Sequence, residues 1–357
     1  MTDKTKYSEK NIRSLKWDEA IRTRPEMYVG KVNSKGFIEM FKGILSSTLV
    51  NTSSDRVSLD LLGDLTAKLS FLNIKKPIKN NWNQWKPNPI NPFVIEFQTL
   101  NALSEKFRIS FTDSTNEKIE EQYFEKGKLI SGKEIQEINC SNLFIEFTLD
   151  EKIWESDFVW NEMFINHEIR EFAYLYKKVK FQIKYEVDDE KCKVLYHFKN
   201  GLRDRIDIEI LKGLGNSYFE TSIDDKIGDL QIEAAFAFRE YSVDESYLKS
   251  YVNDFYTSEN GSHVDGLLKG LTYGVMKYFQ KHNLTDKYKI SEKGVKENLT
   301  ASINIKFETA VFSGCVKNKL ANSEIIEPIA NYISDLLFKK IEEDEDSTKK
   351  LIRKFEI

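Results

Sequence analysis

Apolar residues recur along the chain with two different periods. In GFIEMFKGILSST, Phe37, Met40, Phe41, Ile44 and Leu45 fall at the spacing of 3, 4, 7 and 8 that gathers them on one face of a helix. A shorter helix is expected just before it, in LKWDEAIRTR, closed by Pro25 because a proline biases the preceding residue away from helical dihedrals. Runs of β-branched and aromatic residues then predict strands at RVSLDLL, AKLSFLN, FRISF and LFIEFTL. Between the second and third lies IKKPIKNNWNQWKPNPINP, whose asparagines and four prolines predict a loop. A helix is expected through FVWNEMFINHEIREFAYLYKK, followed by strands KFQIKYEV, KVLYHF, LQIEAAFAF and SYLKSYVND. SHVDGLLKGLTYGVMKYFQKH reads as an amphipathic helix, TASINIKF as a strand and SEIIEPIANYISDLLFKKIEE as a closing helix, with the acidic run EEDED a solvated exit. The pattern divides the chain into a polar N-terminal arm (1–15), a first mixed domain (16–150), a second (151–345) and a C-terminal tail (346–357), without internal repeats.

Bulk composition narrows the class. The chain has 357 residues, 40% hydrophobic and 31% charged, with 24 phenylalanines and 16 tyrosines, so it can bury substantial cores and is no disordered polymer. Its net charge of -4 offers no general attraction to nucleic acid or anionic lipid, leaving only local patches for such contacts. Cys140, Cys192 and Cys315 are far apart and odd in number, which fits a reducing compartment and no disulfide framework. No run approaches the roughly 20 apolar residues of a membrane span, so a cytoplasmic protein without membrane partners is expected. The four histidines and three cysteines show no ligand spacing, and no structural metal is predicted.

Several stretches resemble, in collinear order, the N-terminal half of the B proteins of DNA gyrase and topoisomerase IV. LKWDEAIRTRPEMYVG is similar to that family's arm-to-helix signature, and LNALSEKFRISF to the segment after its ATP lid. YHFKNGLRDRI, YVNDFYTSENGSHVDGLLKGL, KENLTASINIKF and FSGCVKNKLANSE resemble successive transducer motifs, the last being the glutamine-threonine-lysine loop. The likeness covers roughly residues 5 to 345 and implies an α+β protein: a GHKL-type α/β sandwich followed by a transducer domain of ribosomal-protein-S5-like fold. It further implies ATP-driven dimerisation that the transducer reports to DNA-cleaving parts. No acidic toprim motif of the E-G-D-S-A kind and no tyrosine-bearing cleavage domain occur, so this chain alone is not expected to pass one DNA strand through another.

Residue by residue, the ATP site implied by the resemblance is incomplete. The family's first catalytic helix carries a glutamate that activates water against the γ-phosphate and, four residues on, an asparagine that ligates magnesium. Those places fall on Gly43 and Ser47, neither of which supplies the same chemistry. The adenine pocket's aspartate has no counterpart, since no aspartate lies between Asp64 and Asp113. The phosphate lid needs small, conformationally permissive glycines, and none lies between Gly63 and Gly127. No catalytic residue and no cofactor are therefore expected.

Lys317 matches the loop lysine that meets the γ-phosphate in the family, while Cys315 replaces its glutamine. It is either a residual anion contact or a solvated lysine, and Lys319 a solvated or structural one. Tyr7 matches the arm position that reaches into the partner's nucleotide pocket; its alternatives are a dimer contact and an unattached terminal residue. In RTRPEMYVG, Met27 and Tyr28 are expected to pack. In NGSHVDG, Asn260 and Gly261 suit a turn, Ser262 an N-cap, and His263 a structural role. From Leu65 to Ile95 there is no acidic residue, while Lys68, Lys75, Lys76, Lys79 and Lys86 surround Trp82 and Trp85. These form either a nucleic-acid or partner contact or a plug in which the tryptophans refill the vacated pocket.

The reading that follows is a gyrase B-like pseudo-ATPase: a dimerising interaction module acting on a topoisomerase partner or on DNA. One alternative is the ATP-binding component of a split, ATP-hydrolysing type IIA topoisomerase, with ATP and magnesium as cofactors and Glu39 as a substitute base. A second is a DNA clamp without catalysis.

Overall fold

The computed structural model describes residues 15–63, 65–79, 92–133, 137–156, 158–187, 189–212, 216–240, 246–314 and 317–355. Contacts along the chain separate two units, Met1–Ala173 with Lys178–His197, and Tyr174–Lys177 with Phe198–Ile357.

In the first unit, α1 (Trp17–Thr23) and α2 (Glu26–Val29) precede α3 (Ser34–Thr52), whose N-terminus is capped by Asn33 Oδ1 accepting from the amides of Lys35 and Gly36. After β1 (Arg56–Leu61), β2 (Thr66–Leu72) and the short β3 (Ile78–Lys79) comes α4 (Pro92–Ala102), a helix absent from the sequence reading. Then follow β4 (Ser104–Thr112), β5 (Lys118–Glu125), β6 (Lys128–Ser131), β7 (Glu137–Ile138) and β8 (Asn142–Leu149). The unit ends with α5 (Glu162–Ala173), β9 (Lys180–Val187) and β10 (Glu190–Tyr196). The main sheet runs β10-β9-β1-β2-β8-β4-β5-β6, antiparallel except where β1 meets β9. One face alternates Val57, Leu59, Leu69, Phe71, Phe107, Ile109, Ile145 and Phe147, all buried, as a sheet with one covered face requires. Phe37 centres the cover: its ring lies 4.9 to 6.3 Å from those of Phe41, Phe147, Trp154, Phe158 and Trp160.

That sheet draws on residues 180–196, which the sequence pattern assigns to the second domain. Pairing of Arg56 to Asp60 with Lys180 to Lys184 joins segments more than a hundred residues apart, a link no local period can show. A smaller expectation also changes: Met27 is exposed, and only Val29 of its helix is buried.

In the second unit, α6 (Leu202–Lys212) leads into a sheet of β11 (Ser217–Ile227), β12 (Leu230–Arg239), β13 (Tyr247–Val252), β14 (Phe255–Tyr256) and, after α7 (Ser262–Lys281) and α8 (Glu292–Lys296), β15 (Leu299–Lys306). The order is β11-β12-β15-β13-β14. β12 is buried on both sides, Phe236 and Phe238 facing the larger core with α7 and Ala235 and Ala237 facing Ile206 and Ile210 of α6. α9 (Ile326–Glu343) lies along α7, and α10 (Glu345–Lys354) follows it. The acidic run is exposed, as expected of a solvated stretch, but it leads into a helix rather than an exit: the Asp344 carboxylate accepts from the Ser347 amide, and Leu351 and Phe355 enter the core.

Candidate functional site

α3 presents the two positions that the resemblance singles out. Gly43 and Ser47 lie one turn apart on its buried side, four residues being close to one helical turn. Opposite them stands Glu96 of α4. Ser47 Oγ lies 2.7 Å from Glu96 Oε2 and 2.8 Å from the Gly43 carbonyl oxygen. A hydroxyl has one proton to donate, and the carboxylate is the stronger acceptor. A Cβ at position 43 would overlap Glu96 Oε1 and stand 2.8 Å from Glu96 Cδ. A side chain at 43 would therefore require the Glu96 carboxylate, the far end of a flexible side chain, to shift.

Other polar groups on α3 are committed elsewhere. Lys42 reaches Glu168 of α5 at 2.9 Å and Glu39 at 2.8 Å. Burial pushes the Lys42 amine down, but those two carboxylates outweigh it and hold the amine above its ordinary value. Glu39, the substitute base of the hydrolytic alternative, therefore has a lysine partner, and its side chain is 56% exposed. Asn51 Nδ2 donates to the Ser47 carbonyl oxygen at 2.7 Å.

Of the expected lysine and tryptophan patch, the side chains of Lys68, Lys75 and Lys76 are described. Lys68 lies on the uncovered face of the sheet, its Nζ 5.0 Å above the Phe144 ring. Lys75 pairs with Asp55 at 3.3 Å and Lys76 is exposed at the sheet's end. Only the backbone of Lys79 is described, in β3; Tyr7, Trp82, Trp85, Lys86 and Cys315 lie outside the described residues.

In the second unit, two sequence motifs converge. Phe312 and Gly261 both bridge to Leu320, and the amides of Leu320 and Ser262 donate to the carbonyls of Asn260 and Leu320 at 3.0 and 3.2 Å. Gly261 has φ 126° and a Cβ there would overlap the Leu320 carbonyl, so the turn demands glycine. Lys317 itself is left-handed, φ 54°, and its Nζ sits 4.7 Å from the centroid of Phe255 on β14. Lys319 is exposed. Ser262 is the first helical residue rather than the cap, with a buried hydroxyl lacking a partner. His263 is fully buried, its Nε2 3.3 Å from Thr257 Oγ1, and burial pushes it down to about 3, so it stays neutral. Among the described residues no group of three or more acidic, histidine or cysteine side chains could hold a metal ion, and no helix is long and apolar enough to cross a membrane.

Glu96 escaped the sequence reading. The acid-free stretch ends at Ile95, one residue short of it, and the helix that carries it follows a proline-rich segment read as loop.

Comparison with known proteins bears on this geometry. The DNA gyrase B family model matches residues 183–356. The DNA gyrase B protein of Spiroplasma citri is 23% identical, covering 98% of this chain and 59% of that protein. The DNA topoisomerase 4 B protein of Borreliella burgdorferi is 24% identical, covering 93% of this chain and 55% of that one. The chain therefore spans little more than half the length of these curated relatives. Among solved structures, the 43K ATPase domain of Thermus thermophilus gyrase B, in complex with an aminocoumarin, has TM-score 0.76 at 18% identity, covering 96% of this chain and 95% of that one. The gyrase B structure from Myxococcus xanthus has TM-score 0.77 at 17% identity, covering 94% and 99%. By fold and by the order of its segments, the chain resembles the GHKL-type N-terminal ATPase and transducer region of the B proteins of DNA gyrase and topoisomerase IV.

Proposed function

We propose that this chain is a gyrase B-like component of a type IIA topoisomerase system that works without hydrolysing ATP, as a dimerising interaction module for a topoisomerase partner or DNA. The observation that carries this reading is the α3–α4 contact. Where the resemblance calls for a water-activating glutamate there is Gly43, and the hydroxyl that stands at the magnesium position is engaged by Glu96. A glycine cannot act as a base, and a lone serine hydroxyl is a poor substitute for the amide magnesium ligand that the resemblance calls for. The residues present do not fit magnesium-bound ATP, and the module needs neither as a cofactor.

The test is a coupled assay of magnesium-dependent ATP hydrolysis, run beside a thermal melt with ATP and with a non-hydrolysable analogue. No turnover and no rise in melting temperature are expected, because a ligand that does not bind the folded state cannot stabilise it. A magnesium-dependent rate that Lys317→Ala abolishes would sink the reading. One observation favours a second reading, in which the chain hydrolyses ATP within a split topoisomerase: Glu96 brings a carboxylate to the helix that lost one. That version requires turnover by the unmodified chain and its loss in Glu96→Gln.

A further inference from the structure

Away from α3, α4 rests on the covered face of the main sheet. Gln98 and Asn101, three residues apart, lie on one side of the helix. On the sheet, Gln122 of β5 is opposite Ile109 of β4, and Phe124 opposite Phe107, so these four side chains face the same way. With Phe97 they line a small cavity, about 10 Å³ when taken over the positions open to the centre of a water-sized sphere. That is room for one water molecule and too little for a phosphate group.

Three polar side chains interrupt this otherwise aromatic and aliphatic wall. Gln122 is fully buried, and Gln98 and Asn101 are 3% and 5% exposed. Gln98 Nε2, Asn101 Oδ1 and Gln122 Oε1 are buried atoms without a hydrogen-bond partner among the described residues. The Gln122 amide is oriented by its other end: Nε2 donates to the Lys133 carbonyl, which leaves Oε1 for the cavity. Buried polar atoms in folded proteins are almost all paired, with protein groups or with ordered water. One donor and two acceptors are what a water molecule complements, since it accepts from the first and gives its two protons to the others. A metal cation does not suit the same set, because Gln98 Nε2 presents a proton to it.

We propose that Gln98, Asn101 and Gln122 form a binding site for a single water molecule, which accepts from Gln98 Nε2, donates to Asn101 Oδ1 and Gln122 Oε1, and so joins α4 to β5. The site lies between helix and sheet, apart from the Gly43 and Ser47 face of α3, and it holds whether or not the chain hydrolyses ATP. Its consequence is that α4 is fixed on the sheet by a polar bridge as well as by the phenylalanines around it.

The experiment is a crystal structure of the full chain at a resolution that shows ordered water, beside thermal melts of Gln98→Met, Asn101→Leu and the double variant. Density for one water within hydrogen-bond distance of all three atoms is expected. Each single variant should lower the melting temperature, and the double variant should lower it by less than the two losses together, because a water released by the first substitution is not there to be lost by the second. A cavity without density, density for a cation, or the three side chains bonded to one another would overturn the inference. Losses that simply add would overturn the bridging role even with a water in place. Should a variant fail to fold, the density in the unmodified chain decides.

Discussion

Arg22 and Asp150 show how a single pair can hold the first unit together. Arg22 Nη2 lies 2.6 Å from Asp150 Oδ2, and Nη1 donates to the Ala102 carbonyl at 2.7 Å, so one guanidinium ties α1 to the ends of α4 and β8. Burial alone would push the Asp150 carboxyl up, but the hydrogen bonds from Arg22 and from the Lys152 amide, with the Arg22 and Lys126 charges, outweigh it and hold it below its ordinary value. A carboxyl depressed in the folded state stabilises fully above its unfolded value, about 3.9, and loses that contribution as pH falls through the folded value. Arg22→Ala should therefore destabilise at neutral pH by about 3 kcal/mol, since it leaves a buried carboxylate without its main cation. Denaturant melts from pH 7 to 3 should show the stability gap between the unmodified chain and the variant shrinking as pH falls, because the variant has lost the depressed carboxyl whose contribution acid removes; a gap independent of pH would contradict the pairing. Such residues differ in how far sequence discloses them. The five apolar residues of α3 are legible because their period is local, and all are buried. Glu96 is not, because its partner Ser47 lies 49 positions away and nothing in the intervening period connects them. Lys317 falls between these cases: its sequence place suggested phosphate or water, whereas its amine rests on the Phe255 ring, a contact worth about 0.5 to 1 kcal/mol at an exposed site.

Among the elements, α7 and α9 are fitted to each other by glycine. Gly266, Gly270 and Gly274 recur every four residues along α7, and a Cβ on Gly270 would stand 2.7 Å from the Ala330 carbonyl oxygen and from Ile333 Cβ. Lys277–Asp335 and Lys281–Glu342, at 2.8 and 2.6 Å, flank the same contact but are partly exposed and contribute little. Glycine ordinarily weakens a helix interior by roughly 1 kcal/mol relative to alanine, so its retention here reflects close approach rather than helix formation. Gly270→Ala should nonetheless lower stability, by about 1 to 3 kcal/mol, because the gain in helix propensity is smaller than the cost of forcing apart packed backbone and Ile333. Urea unfolding followed by circular dichroism measures this, and a stabilised Gly270→Ala would show that the helices have room to part. The amphipathic period made α3, α7 and α9 readable. It failed for α4 because prolines ahead of the helix read as loop, and for α6 because a stretch rich in charge, LRDRIDIEILK, masks its buried Leu202, Ile206 and Ile210.

At the scale of the molecule, the strand pairing decides where the first unit stops. A division at residue 150, natural from the run of local elements, would separate β1 from its parallel partner β9 and remove β10 and α5 with it. Val57 and Leu59 would then lie on an open strand, and the core would lose Phe172 and Phe181, whose rings meet edge to face at 5.8 Å. An unpaired strand with a buried apolar face is an association site as well as a loss of stability. The bond from Lys42 to Glu168 also crosses that division, so α3 would lose its charged anchor along with part of its cover. A chain of residues 1–197 should accordingly melt cooperatively and give a dispersed amide spectrum, whereas residues 1–150 should aggregate or lack a cooperative transition. A fragment of 1–150 as stable as 1–197 would show that β9, β10 and α5 are dispensable additions to a sheet complete without them.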